Sequence, residues 1–404
     1  MELKRACAAV GAASALLFMA NAAMAEDANA AKSRAKFKGP VKVFILAGQS
    51  NMEGYGGVKT LDRLGEHPTH GYLLKKIKNA DGSFVVRDDV FVSYQRGGER
   101  IKRPLSVGMG VRGADWIGPE LMFGIEMGDF YKGSFFSSKE NPVLLIKTCW
   151  GGHSLYGNFR PPSAGKAAYE TGYKPEHIGG SYHRMVKEVR ECLSTIDADF
   201  PQFKGLETEL CGFVWFQGWN DLWAPENIRK QVHDEYCPNF VHLVQDLRAE
   251  FKVPNLPVAI GEIGFGGEKA DQNTIDFMAA QAKIATCPEL KGTVGYFRSA
   301  PFWYPELDEL PAKMEAEEQR VRTAVAAKVK EQMKDKPESA DPKKMEQLTK
   351  EAGDKALTED AAYQQAKKES DKHVSDRIYH YQGSARVYCL VGFSLAEAMK
   401  PLLK

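Results

Sequence analysis

Ser50 lies in "GQSNM", Gly48 to Met52, directly after the apolar run "VKVFILAG". A hydroxyl at that junction can cap the start of a helix. It can also attack a carbonyl, if a base and an oxyanion site stand beside it. The stretch alone does not separate the two uses. Three other segments supply what the second requires. In "KTCWGGHSLYG", Gly151 and Gly152 offer backbone N–H groups with no side chain in the way, although glycines also serve simple turns. In "VWFQGWND", the amides of Gln217 and Asn220 and the carboxylate of Asp221 fall close together. Converging amide and N–H donors are what stabilises the oxyanion of a tetrahedral intermediate. Near the C-terminus, "DRIYHYQGS" carries His380, a side chain able to take a serine proton. A histidine between tyrosines is by itself more often structural, and it gains meaning only from the other parts. With all of them counted, the nucleophile reading of Ser50 displaces the cap.

Those residues must be carried to one place, and the apolar pattern says how. The runs 41–48, 142–150 ("PVLLIKTCW"), 211–217 ("CGFVWFQ"), 256–264 ("LPVAIGEIG") and 292–299 ("GTVGYFRS") are apolar almost throughout, as strands covered on both faces are. Helix-like segments alternate with them at 118–131, where Pro119 suits a first turn, and at 181–196, 225–251 and 273–286. This alternation predicts an α/β fold, with a parallel sheet between helical layers. Ser50, the glycines and the amides each follow a predicted strand, at the edge where open α/β sheets place their sites.

Two regions break the rhythm. Residues 55–117 are rich in Gly, Arg and Asp, and their alternating piece "SFVVRDDVFVSY" reads as a hairpin bordering the site. Residues about 306–372 are dense in Lys, Glu, Ala and Gln, and Met314, Val321, Val325, Val329 and Met333 share one helical face. Pro337 and Pro342 divide that region, after which Met345, Leu348, Ala352 and Ala356 suggest a second helix. It reads as a charged helical insertion exposed to solvent, with a self-associating or partner-binding arm as the alternative. The fold resumes at "IYHYQGSARVYCLVGFSLAEAMKPLL".

Residues 1–25 have a basic start, an apolar run and the triplet Ala23-Met24-Ala25, the pattern of a cleaved export signal. Residues 26–40 then form a polar tether before a domain at 41–404. The expectation is an exported protein, periplasmic or extracellular, with no membrane contact once the signal is removed. Six cysteines remain beyond Cys7, and disulfides and buried thiols both fit them. A net charge of +1, from 54 basic and 53 acidic residues, gives no global attraction to nucleic acid.

"GQSNM", "GPEL" (Gly118 to Leu121), "GGHS" (Gly151 to Ser154), "QGWND" (Gln217 to Asp221) and "YHYQGSA" occur in the order seen in the SGNH hydrolase superfamily. Over roughly residues 41–300 and 376–402 the chain resembles its sialate O-acetylesterase-like branch, which includes the acetylxylan esterases of carbohydrate esterase family 6. The resemblance implies a three-layer α/β/α sandwich with a flavodoxin-like parallel sheet. It implies a serine esterase that removes O-acetyl groups from an acetylated polysaccharide or a sialic acid-like sugar, with no metal and no other cofactor. It places Ser50 as nucleophile and His380 as base, with oxyanion donors at the Ser50 and Gly152 N–H groups and at the Gln217 and Asn220 side chains. Two positions depart from the family pattern. Trp219 stands where the subgroup carries a glutamate, and Arg377 stands where the superfamily has the aspartate that orients the histidine. The acid is therefore open between Asp376, Asp221 and Glu262, in that order.

Trp150, Tyr156, Trp219, Trp223 and "FWY" at 302–304 suit either sugar stacking or core packing. Two other functions compete. A carbohydrate-binding or scaffold protein could keep the fold without turnover, as the missing glutamate and the insertion would allow. A metal-dependent phosphoesterase fits poorly, because the nine histidines form no ligand-spaced cluster.

Overall fold

Along Val41–Gly48 (β1) successive side chains serve two different cores. Val43, Ile45 and Ala47 pack on one face of the sheet, and Phe44 and Leu46 pack on the other. This two-sided burial is why the run carries almost no polar residue. The computed structural model describes residues 37–132, 140–167, 177–334, 336 and 341–403, so the expected signal at 1–25 and nearly all of the tether lie outside the described residues.

Six further strands complete the main sheet: Val90–Arg96 (β2), Glu99–Pro104 (β3), Val143–Cys149 (β4), Thr208–Phe216 (β5), Val258–Gly261 (β6) and Val294–Phe297 (β7). Their order is β3-β2-β4-β1-β5-β6-β7, and all pairs are parallel except β2 with β3. The chain therefore builds outward from β1 in both directions. A gap opens above its C-terminal end, where the flanking connections run to opposite sides.

The expected hairpin at 83–94 lies elsewhere. Val90–Arg96 joins the parallel sheet beside β4, and the reversal comes at Gly97 and Gly98, both with positive φ. The alternation seen in the sequence is that of a strand near the sheet edge, and the paired glycines are the actual turn signal.

Helices cover both faces. One core joins the sheet to Glu120–Tyr131 and Ala385–Met399. The other joins it to Gly180–Ser194, Glu226–Phe251 and Gln272–Ala282. This gives the three layers of an α/β/α sandwich. In the charged region, helices Glu306–Met333, Pro342–Glu359 and Ala361–Asp371 pack on one another. Met314, Val321 and Val329 are buried along the first of them. Among the described residues there are three helices rather than two, because Asp360 accepts the Tyr363 N–H and starts a new one. No helix among the described residues is long and apolar enough to cross a membrane. The six cysteines Cys149, Cys192, Cys211, Cys237, Cys287 and Cys389 are free thiols.

Candidate active site

β1 ends at Gly48, where any side chain would collide with the Phe216 carbonyl, 2.2 Å from the place its Cβ would occupy. The chain turns there into the short helix Ser50–Glu53. Ser50 therefore sits directly above the central strand, at the point where the strand order divides, with 7% of its surface exposed. As a first-turn residue it has a backbone N–H without an acceptor within the helix. Gly151 packs against it, with its Cβ position 3.7 Å from the Ser50 Cβ. The next residue, Gly152, has φ +77 and open space around its Cβ position, so glycine is required there by the left-handed backbone and not by crowding.

Beneath these groups lies a buried polar network that the sequence did not reveal. Gln49 is almost fully buried. Its Oε1 accepts from Gln217 Nε2 at 3.1 Å and from the N–H groups of Gly218 at 3.2 Å and Asn220 at 3.3 Å, while its Nε2 donates to Asn220 Oδ1 at 2.9 Å. With its carbonyl so engaged, Asn220 keeps its NH2 as the free donor. Gln217 is placed differently. Its Nε2 has two hydrogens and faces three protein acceptors: Gln49 Oε1, the His153 carbonyl at 3.1 Å and Asp221 Oδ2 at 2.6 Å. Its carbonyl accepts from the Tyr236 hydroxyl at 3.1 Å. The expected role of Gln217 as an oxyanion donor does not match this geometry, because the amide has no hydrogen left to offer. Its contacts instead hold Gln49 and the loop after β5.

The three acids suggested by the sequence lie in three different environments. Asp221 is fully buried, accepts from Gln217 and from the Leu155 and Tyr156 N–H groups, and is pushed up to about 6 by burial despite those bonds. Glu262 binds the Tyr296 hydroxyl at 2.5 Å and the Ala300 N–H at 3.3 Å, and burial raises its pKa. Asp376 Oδ2 contacts His380 Nδ1, and its Oδ1 accepts from Arg112 at 3.0 Å. Burial works against the charge of Asp376. The His380 hydrogen bond, the charge of that ring and the Arg112 guanidinium outweigh it and hold the carboxyl below its ordinary range. Arg377, at the superfamily's aspartate position, faces Glu315 at 3.7 Å.

The extra residue between Asp376 and His380 is absorbed by the backbone. Ile378, His380, Tyr381 and Gln382 all have φ between 51 and 77, a left-handed run that is costly for residues other than glycine. Several bonds hold it: the Gln382 carbonyl accepts from Ser375 N–H at 2.9 Å and Asp376 N–H at 3.2 Å, and Gln382 Oε1 accepts from Ile378 N–H at 2.9 Å. The buried Tyr381 hydroxyl accepts from the Gly264 N–H at 3.0 Å.

This loop is docked on the segment that follows Ser50. The His380 ring stacks on Tyr55 at 3.8 Å and 13°, the Arg112 guanidinium lies 5.0 Å from the same ring, and the Tyr388 hydroxyl donates to Asn51 at 3.0 Å. With Nδ1 turned to Asp376, Nε2 is the His380 nitrogen left to act.

A buried ion pair braces the Ser50 turn from below. Lys147 Nζ, on β4, bonds Glu120 at 2.9 Å, the Glu53 carbonyl at 2.7 Å and the Met109 carbonyl at 2.9 Å, with neither charged side chain exposed. Lys147 thus ties the end of the Ser50 helix to the "GPEL" turn. Removing one partner strands the other charge, so Lys147→Met is expected to cost about 3–5 kcal/mol. Urea unfolding measures this. A loss under about 1 kcal/mol would mean that water reaches Glu120. The double change Lys147→Met with Glu120→Gln should recover part of the loss.

Of the aromatics, Trp150 and Tyr156 belong to the core, Trp150 stacking on Phe159 at 5.7 Å. Trp219 is half-buried and packs against both cores, and Trp223 is exposed at the site edge. Gln49, Tyr55, Arg112, Lys147 and Glu120 were not singled out from sequence. Only the positions of Gln49 inside "GQSNM" and Glu120 inside "GPEL" could have pointed to any of them.

A family model described as carbohydrate esterase, sialic acid-specific acetylesterase, matches residues 40–292. A relative named a probable carbohydrate esterase from Arabidopsis thaliana is 24% identical over 261 residues, covering 63% of this chain and 80% of the relative. Among solved structures, an Arabidopsis thaliana protein aligns over 64% of this chain and 86% of its own, at 17% identity and a TM-score of 0.38. A carbohydrate acetylesterase from Xanthomonas citri aligns over 64% and 49%, at 15% identity and a TM-score of 0.39.

Proposed function

Because the chain belongs to the sialic acid-specific acetylesterase family of carbohydrate esterases, and is thus a carboxylic ester hydrolase, we propose that it removes O-acetyl groups from an acetylated polysaccharide or a sialic acid-like sugar through an acetyl-Ser50 intermediate. The observation that carries this reading is the Asp376–His380 pair held against the Ser50 turn by the Tyr55 stack.

In the proposed reaction His380 Nε2 takes the Ser50 hydroxyl proton while the Ser50 oxygen bonds to the acetyl carbon. The carbonyl oxygen becomes an oxyanion held by the Ser50 and Gly152 N–H groups and the Asn220 NH2. As the intermediate collapses, the sugar oxygen leaves with the proton from His380. Water, deprotonated by the same nitrogen, then attacks the acetyl group, and acetate departs as Ser50 regains its proton. Asp376 accepts the Nδ1 hydrogen throughout and stabilises the imidazolium.

The test is chemical. Protein quenched in acid during turnover of p-nitrophenyl acetate is expected to carry one acetyl group on the peptide containing Ser50. An acetyl group on any other residue, or none under conditions of steady release, would overturn the intermediate. Export is supported by the sequence pattern of residues 1–25. A tagged full-length chain recovered outside the cytoplasm, shortened near Ala25, would establish it.

A further inference from the structure

The geometry points to a pyranose-binding subsite on Trp219, Trp223 and Tyr379, beside His380, which seats the sugar bearing the scissile acetyl group; this rests on the esterase reading above. Large hydrophobic side chains open to solvent are few among the described residues, yet three of them, Trp223 at 44%, Tyr379 at 51% and Ile378 at 65%, lie on the two loops that carry Asn220 and His380. An apolar patch of this kind next to a reaction centre marks a binding surface.

The rings form a continuous ribbon. Trp219 lies 5.9 Å from Trp223, 6.0 Å from Tyr379 and 4.9 Å from Phe265, at interplanar angles of 56°, 85° and 74°. Trp219 is half-buried against both cores and anchors the ribbon, which Trp223 and Tyr379 carry outward to solvent.

The opposite wall of the site is aromatic too, but it is already occupied. Tyr55 carries His380 stacked on its ring, and the Arg112 guanidinium sits 5.0 Å from that same ring. On the proposed platform the Arg229 guanidinium lies 5.8 Å from the Trp223 ring, while Tyr379, with 51% of its surface exposed, has no cation over it among the described residues.

The exposed Trp223 and Tyr379 rings offer apolar faces suited to the C–H face of a pyranose. An ester oxygen held at Ser50 must have its sugar within one ring's reach, and the ribbon begins at the residues flanking Asn220 and His380.

The test separates binding from turnover. The full chain carrying Ser50→Ala is titrated calorimetrically with an O-acetylated xylo-oligosaccharide and with an O-acetylated sialoside, the two arms distinguishing a neutral pyranose from an acidic one. Binding of at least one is expected, and Trp223→Ser and Tyr379→Ser, both at exposed positions, should each weaken it roughly tenfold while leaving the urea midpoint near that of the parent. Binding of neither compound, or equal affinity in all variants, overturns the subsite. Binding that depends on the two rings in a protein whose acetate release does not depend on Ser50 upholds the subsite and removes the esterase reading. Ser50-dependent turnover with ring-independent affinity does the reverse.

Discussion

Ser50→Ala is expected to lower kcat for p-nitrophenyl acetate by roughly 10⁴-fold or more, while leaving urea unfolding within about 1 kcal/mol of wild type. The contrast follows from where the serine stands. Its neighbours Gly48 and Gly54 are locked against other backbone, at 2.2 Å from Phe216 and 2.4 Å from Gly118 measured at their Cβ positions, so the turn does not depend on the Ser50 side chain. Gln49, not Ser50, occupies the N-cap position, so the serine is not the cap of this helix. The proposed reaction gives that hydroxyl a chemical use instead. Equal rates in wild type and variant would sink the nucleophile assignment, and the carbohydrate-binding reading would take its place.

The second large effect concerns the acid. Asp376→Asn is expected to reduce kcat by about 10³–10⁴-fold, since an amide in that place can donate to Nδ1 and shift the imidazole to the wrong tautomer. Glu262→Gln and Asp221→Asn act elsewhere: the first loosens the Tyr296 contact, and the second disturbs the Gln217 network and the Leu155 and Tyr156 N–H groups. If Glu262→Gln costs as much activity as Asp376→Asn, the pair has been assigned wrongly.

The pH dependence of stability gives an independent check. The Asp376 carboxyl is held below its ordinary range in the folded protein. Its contribution is therefore present above the pKa it has when unfolded and is lost as pH falls through the folded value. Asp376→Asn should flatten that acid limb in urea melts between pH 5 and about pH 2; an unchanged limb would mean that the ion pair with His380 and Arg112 does not form in solution.

The chemistry was largely legible before the fold. A serine after an apolar run, paired glycines, clustered amides and a late histidine have recognisable types and short local spacing, and the strands that carry them are apolar because both faces are covered. Asp376 was also reachable, as the nearest acid preceding His380. What could not be read was the left-handed run at Ile378, His380, Tyr381 and Gln382 that lets an acid four positions away meet the ring. Such backbone is imposed by contacts with Ser375, Gly264 and Ser299, which are remote in sequence or invisible to residue propensity.

The two amides show the same limit. Gln217 and Asn220 are equivalent in composition, and only the position of Gln49, more than 160 residues earlier, commits one to the network and leaves the other a free donor. Lys147 offers the sharpest case. Nothing near it in sequence gives Lys147 a partner inside its apolar strand; Glu120 and two backbone carbonyls meet it only in space.

Residue type and local period thus determined the reaction class, the parallel strands and the candidate nucleophile, because those depend on chemistry and burial within a few residues. Only the tertiary structure showed which acid meets His380, which amide keeps a free N–H and which aromatic rings stand exposed beside that loop. Each of these depends on which hydrogens and ring faces remain free after distant segments have taken their share.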